Sequence, residues 1–232
     1  MEEILLRDIP TKIDEEKLIT LLHLKKRNKQ AERAVELARE AQKIARPIAY
    51  AREAYIESKD GDKIVIEGIP FASRVMAVNL KDTYRVFPFV ATSGWEVENW
   101  SNELDNLMDK FYADQIKIML LENATNALTD YLKNEFQIDK LAAMNPGSLE
   151  DWPLAEQQKL FSLLGDVYEK TGVKLNPSFL MIPLKSTSGI LFPTEVDYKN
   201  CQLCSRKNCP GRKAPYNPEL LKEKYKLEHN VV

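Results

Sequence analysis

The three cysteines of this chain lie close together, in the segment CQLCSRKNCPGRK at residues 201–213. Cys201, Cys204 and Cys209 have the spacing C-x2-C-x4-C. Two thiolates at the first spacing can reach one ion from a tight turn, and the third adds a further ligand of a tetrahedral zinc site. Three thiolates can equally hold an iron–sulfur cluster whose remaining position another ligand fills. The spacing therefore predicts a metal or cluster at these cysteines.

Basic residues surround these thiols and should favour the thiolate, which is the form that binds metals. They are Arg206, Lys207, Arg212 and Lys213. A fourth ligand is not evident, because the histidines of the chain are His23 and His229 and neither is adjacent to the cysteines. Three interpretations therefore stay open: zinc, an iron–sulfur cluster, or three free thiols in a basic tail.

The composition is that of an ordinary globular protein, with 44% apolar and 29% charged residues in a chain of 232. A net charge of −2 argues against a nucleic-acid partner. The first residues, MEEILLRDIP, lack the apolar core of a signal peptide, and no apolar run approaches the ~20 residues that span a bilayer. We therefore expect a cytoplasmic protein without a membrane partner.

Helical periodicity and strand-like alternation occur in irregular order along the chain, which favours an α+β fold. The predicted helices cover residues 14–24, 27–46, 95–136, 153–172 and 218–229. The predicted strands cover residues 63–69, 84–92, 173–183 and 188–193. Pro88 should place its strand at a sheet edge or at a bulge, because proline cannot donate to the ladder.

The pattern also suggests how the chain is divided. Residues 1–198 are predicted to form one α+β domain, whose N-terminal part, about residues 10–58, is helical. Residues 199–232 contain the cysteines, are basic and have few apolar residues, so we expect this tail to be exposed.

Four stretches resemble, in chain order, the activation domain of vitamin B12-dependent methionine synthase, and especially the stand-alone activation-domain-like proteins of anaerobes. They are FVATSGWEVENWS at 89–101, ENATNALTDYL at 122–132, PGSLEDWPLAEQQKLFSLL at 146–164 and KLNPSFLMIPLKSTSGI at 174–190. The resemblance implies a single α+β domain with a curved antiparallel sheet and flanking helices. It also implies an activity: such domains close over a cobalamin held by a partner protein and bind S-adenosylmethionine.

The resemblance also assigns binding residues. The family's S-adenosylmethionine site corresponds here to Asn126, Ala143, Pro146, Gly147 and Ser148, of which Pro146 and Gly147 match the family pattern. The corrin-facing segment P-x-x-S-x-S-G is kept, and its matching residues are Pro183, Ser186, Ser188 and Gly189.

Three of these positions depart from the family pattern. Asn126 stands where the family has glutamate, Ala143 where it has arginine, and Ser148 where it has tyrosine. An arginine would pair bidentately with the ligand carboxylate, and alanine cannot. Losing one charge-assisted hydrogen bond typically costs about 1.5–3 kcal/mol, so these changes should weaken the binding of S-adenosylmethionine.

Three functions follow from these expectations. The chain could support reductive reactivation of cob(II)alamin with S-adenosylmethionine, on a corrinoid-binding protein or a cobalamin-dependent methionine synthase and with an electron donor protein. It could instead be a non-catalytic module that binds a corrinoid protein without S-adenosylmethionine. In the third function the cysteines have a redox role, in which an iron–sulfur cluster bound to them passes an electron to cobalt in place of an external donor.

Overall fold

The computed structural model describes residues 2–25, 28–209 and 211–227. Within these ranges the fold is α+β, with an antiparallel sheet covered by helices, which confirms the predicted class. The strands are β1 (Glu3–Leu6), β2 (Ile48–Arg52), β3 (Ala54–Asp60), β4 (Lys63–Ile66), β5 (Ile69–Ala72), β6 (Arg85–Thr92), β7 (Leu141–Met144), β8 (Lys174–Leu175), β9 (Met181–Ile182) and β10 (Ser186–Pro193).

Strand β6 is the centre of the sheet. On one side it pairs with β10, which in turn pairs with β7. On the other side it pairs first with β2 and then, in the same register, with β3. Strand β1 lies outside β2, and β4 and β5 continue the sheet from β3. Strands β8 and β9 form a separate short ladder.

The prediction that Pro88 marks an edge or a bulge is wrong, because Pro88 lies within the central strand. The pairing of β6 with β2 stops at Phe89, and its pairing with β3 begins at Val86. Pro88 lies in the gap between these two ladders, opposite Ile190 on the β10 side. A residue without an amide hydrogen is tolerated there because the ladder is interrupted at that position.

Helices cover both faces of the sheet. They are α1 (Glu15–Leu21), α2 (Lys29–Ile44), α3 (Arg74–Asn79), α4 (Trp95–Glu103), α5 (Leu107–Phe136), α6 (Gln157–Leu164), α7 (Val167–Thr171) and α8 (Pro218–Tyr225), with short 3-10 turns at Leu154–Glu156 and Asn200–Leu203. Asp14 and Asn28 cap α1 and α2 through side-chain oxygens that accept backbone hydrogen bonds.

Successive side chains of β6 point to opposite faces of the sheet, and each face packs against a different set of helices. Phe87, Phe89 and Ala91 pack on Ala124 and Leu128 of α5. The intervening residues, Val86 and Val90, join the core on the other face, under α3, α6, α7 and α8. A third cluster lies between α1, α2, α4 and the first half of α5. This arrangement holds α5 across the sheet, with its second half over β6.

Several boundaries differ from the sequence expectation. The helical N-terminal part ends at Ile44, and residues 48–58 belong to β2 and β3 rather than to a helix. The strand predicted at 63–69 is a hairpin of β4 and β5, which turns at Glu67 and Gly68 with positive φ. The helix predicted over 153–172 is interrupted at Gly165.

The C-terminal tail is not exposed throughout, contrary to the prediction. Leu203, Leu221 and Tyr225 are buried in the same cluster as the sheet face. Tyr225 also donates a hydrogen bond of 2.8 Å to Asn79 Oδ1, and burial raises the pKa of its hydroxyl to about 12. The tail helix α8 is thus anchored to α3.

Within the described ranges, no helix is both long enough and apolar enough to cross a bilayer.

Candidate functional site

A cleft of about 410 Å³ lies between α5, the paired strands β7 and β10, and the C-terminal segment. This volume is in the range of ordinary small-molecule sites, about 300–1,000 Å³. The lining residues include Phe89, Ile118, Leu121, Glu122, Thr125, Asn126, Thr129, Ala143, Asn145, Thr187, Leu191, Gly211 and Lys213. We call it the first cleft. It brings together Asn126 and Ala143, which the sequence places in one ligand site.

The helical wall of the first cleft offers one uncommitted amide. Thr125 donates to the carbonyl oxygens of Leu121 and Glu122, and Thr129 donates to that of Thr125, so both hydroxyls bond within the helix. The exposed side chain of Asn126 makes no hydrogen bond with the residues that the structure describes. Its amide can therefore donate to a ligand and accept from it.

A second cleft, of about 340 Å³, lies on the other side of the β10 start. Its lining residues are Asn145, Pro146, Ser148, Leu154, Gln157, Leu180, Met181, Leu184, Ser186, Thr187 and Ser188. Asn145 and Thr187 line both clefts. Six of the predicted residues thus line the two neighbouring clefts: Asn126 and Ala143 the first, and Pro146, Ser148, Ser186 and Ser188 the second.

The serine hydroxyls of the second cleft are engaged inside the protein. Ser188 Oγ donates to Gln157 Oε1 at 2.9 Å, and the side chain of Ser188 is buried. Ser186 Oγ donates to the carbonyl oxygen of Pro183 at 2.7 Å and lies 2.9 Å from Thr92 Oγ1. These hydrogen bonds fix the first residues of β10, so this side of the second cleft is rigid.

The two predicted glycines are approached by protein atoms. A Cβ on Gly147, whose φ is +78°, would lie 2.9 Å from Leu154 Cδ1. A Cβ on Gly189 would lie 2.3 Å from the carbonyl oxygen of Met144 and 2.7 Å from Asn145 Nδ2. The close approach at Gly189 is therefore made by the last residue of β7 and the residue that follows it, and Pro183, Gly147 and Gly189 line neither cleft.

Replacing Gly189 with alanine should lower the free energy of unfolding by about 1–3 kcal/mol, because the new methyl group overlaps backbone that cannot move freely. Urea denaturation of the variant measures this cost. Gly211→Ala is the matched control, since a Cβ at Gly211 meets no atom within 4 Å. Equal stability of the two variants would show that the end of β7 moves away without cost.

A chain of hydrogen bonds connects the residues just before the cysteine segment to Asn145, which lines both clefts. Tyr198 donates to Asn200 Oδ1 at 2.8 Å, Asn200 donates to Asn145 Oδ1 at 3.1 Å, and Asn145 donates to the carbonyl oxygen of Ser188 at 2.8 Å. Burial raises the pKa of the Tyr198 hydroxyl, which therefore stays protonated as the donor that begins the chain. The sequence reasoning missed Asn145, although it lies beside the predicted Pro146.

The cysteine segment is organised by an arginine. Arg212 donates from Nη1 to the carbonyl oxygens of Cys201 and Ala214, and from Nη2 to those of Cys204 and Arg206. A guanidinium with several donors can hold a loop in this way without a metal.

The three cysteines are half-buried free thiols in this structure. Within the described ranges, no group of three or more histidine, cysteine or acidic side chains is arranged to hold a metal ion. His229 lies outside the described residues. The metal or cluster at Cys201, Cys204 and Cys209 therefore stays a prediction.

Two exposed leucines flank the second cleft. Leu180 is 46% exposed and Leu184 is 62% exposed, and both line the cleft beside the engaged serines. Apolar side chains presented next to a concave polar surface are typical of a site where another molecule docks.

Comparison with known proteins adds a likeness of fold. No family model and no curated protein matches the chain. Among solved structures, the chain is similar to the MetH reactivation domain bound to AdoHcy, with a TM-score of 0.63 and 16% sequence identity. The match covers 86% of this chain and 81% of that chain. The likeness supports the predicted activation-domain-like fold.

Proposed function

We propose that this protein docks on a cobalamin-binding protein, such as a cobalamin-dependent methionine synthase, and supports its reactivation by presenting S-adenosylmethionine to the cobalamin. The observation that carries the proposal is the pair of clefts that meet at Asn145 and Thr187. One has the volume of a small-molecule site, and the other has an exposed apolar rim. The fold shared with the MetH reactivation domain bound to AdoHcy supports the same assignment.

The first cleft is suited to the adenosyl ligand. Phe89, Leu121 and Leu191 offer apolar contact, and Asn126 offers an amide without a protein partner. Binding here would hold the methyl donor against β10, and positioning of this kind is the main contribution a protein makes when the cofactor carries the chemistry.

The second cleft is suited to the corrinoid partner. Leu180 and Leu184 would lose exposed apolar surface on docking, and the fixed hydroxyls of Ser186 and Ser188 would keep the β10 start rigid against it. The bound cobalamin would supply the metal that is reduced and methylated. The side chains described here would orient the two reactants and exclude water, with the electron supplied by a donor protein.

The alternative function is a corrinoid-binding module that does not use S-adenosylmethionine. Two substitutions favour it. Ala143 lines the first cleft at the position where the family pattern has arginine, and Ser148, at the position of the family's tyrosine, lines the second cleft instead. In this case the docking surface would be the same and the first cleft would stay without a methyl donor.

A docking experiment tests the proposal. We expect the wild-type protein to form a complex with the cobalamin-binding module of methionine synthase loaded with cob(II)alamin, seen as co-elution in gel filtration. Leu184→Glu should abolish the complex, because it places a charge in an apolar contact, and a truncated hot-spot side chain typically costs about 2 kcal/mol or more. Leu21→Glu is the matched control, since Leu21 is 42% exposed on α1 and lines neither cleft.

Calorimetric titration with S-adenosylmethionine, with and without the corrinoid module, separates the two functions. Binding of both would support reactivation. A complex without S-adenosylmethionine binding would support the module, and no complex with any corrinoid state would end both.

A further inference from the structure

We infer that Lys213 of the C-terminal segment binds the carboxylate of the ligand in the first cleft. The inference deepens the proposed function and rests on it. It gives the cysteine-containing segment a role in ligand recognition that needs no metal.

The balance of charge in the first cleft points to Lys213. Among the described residues, the charged side chains that line the cleft are Glu122 and Lys213. Glu122 is neutralised by Lys17, whose Nζ lies 2.8 Å from Glu122 Oε2. Lys213 has no ion-pair partner among the residues that the structure describes. The cleft is therefore electropositive on the side of the C-terminal segment and favours a ligand with an acidic group there.

The backbone of Lys213 is held in place while its side chain is left uncommitted. The neighbouring Arg212 is bonded to carbonyl oxygens on both sides of the loop, from Cys201 to Ala214. The amide of Lys213 itself donates to Cys201 Sγ at 3.4 Å. Fixing the backbone beside a binding cation reduces the entropy lost when the cation engages a ligand.

The opposite walls complement this cation. The strand wall contributes no charge at Ala143, so a carboxylate bound in this cleft has its cationic partner in Lys213. The amide of Asn126 on the helical wall can bond an amine or hydroxyl groups, whereas that of Asn145 is already bonded to Asn200 and Ser188. A ligand with an aromatic base and an amino-acid end, such as AdoHcy, can contact the apolar side chains, the Asn126 amide and the Lys213 ammonium group of this cleft.

Two ligands that differ in the amino-acid end test this role. AdoHcy carries a carboxylate, and 5′-methylthioadenosine has the same adenosyl group without it. In calorimetric titration, Lys213→Gln should weaken AdoHcy binding at least about tenfold, because a charge-assisted hydrogen bond is lost. The binding of 5′-methylthioadenosine should be unchanged, and Lys213→Arg should restore most of the affinity for AdoHcy.

Lys207→Gln is the matched control, because it removes the same charge from the same exposed segment at a residue that does not line the cleft. Equal affinity of wild type and Lys213→Gln for AdoHcy would overturn the role of Lys213 and leave the proposed function standing. An equal loss of both ligands in Lys213→Gln would show a general distortion of the cleft and would also overturn it. If the wild-type protein binds neither ligand, the S-adenosylmethionine function fails and this inference fails with it.

Discussion

A chain shortened to residues 1–198 is expected to lose its cooperative unfolding transition. The shortening removes Leu203, Leu221 and Tyr225, which are buried in the cluster on one face of the sheet. Truncating one such side chain typically costs about 2–5 kcal/mol. Losing three therefore approaches the whole stability of an ordinary domain, about 5–15 kcal/mol. Near-ultraviolet circular dichroism and urea denaturation would detect the loss of fixed packing.

A chain shortened to residues 1–227 is the control, because it keeps the three buried side chains and should unfold as the full chain does. The comparison tests the division of the sequence into a domain at 1–198 and a tail at 199–232. Cooperative unfolding of the 1–198 chain at the full-length midpoint would show that this domain is autonomous, and the tail would then contribute to binding alone.

The helices were the part of the fold most accessible from the sequence, because their signals are local. Asp14 and Asn28 are followed by apolar residues at helical spacing, and both act as caps. The turn at Glu67 and Gly68 was missed because the residues on both sides alternate as one strand would. The position of Pro88 was predicted wrongly because the rule that places proline at sheet edges does not cover this case. Here β2 and β3 both pair with one side of the central strand, and Pro88 lies where the two ladders meet.

The candidate site was only partly accessible from the sequence. The resemblance placed Asn126 and Ala143 together, and the structure has both in one cleft. It could not indicate that Gly211 and Lys213 line the same cleft, because their position depends on where the tail packs. The burial of Leu221 and Tyr225 had a local signal, since they are apolar residues one helical turn apart on α8.

Replacing Lys117 with methionine is expected to lower the free energy of unfolding by about 3–5 kcal/mol, because it leaves a buried charge without its partner. Lys117 Nζ of α5 lies 2.8 Å from Glu98 Oε2 and 2.8 Å from Ser101 Oγ, both on α4. The side chains of the ion pair are 7% and 9% exposed. Urea denaturation of the variant at neutral pH gives the change directly.

The double variant Lys117→Met, Glu98→Leu distinguishes an unpaired charge from a packing defect. Because the second substitution removes the isolated carboxylate, it should recover most of the lost stability, as buried ion pairs replaced by apolar residues commonly do. If the double variant is no more stable than Lys117→Met alone, packing around α4 is the cause. The pair also bears on the site, because the helix that carries Lys117 continues without interruption to Asn126. Ligand binding by the double variant should still match that of the wild type, because neither Lys117 nor Glu98 lines the first cleft.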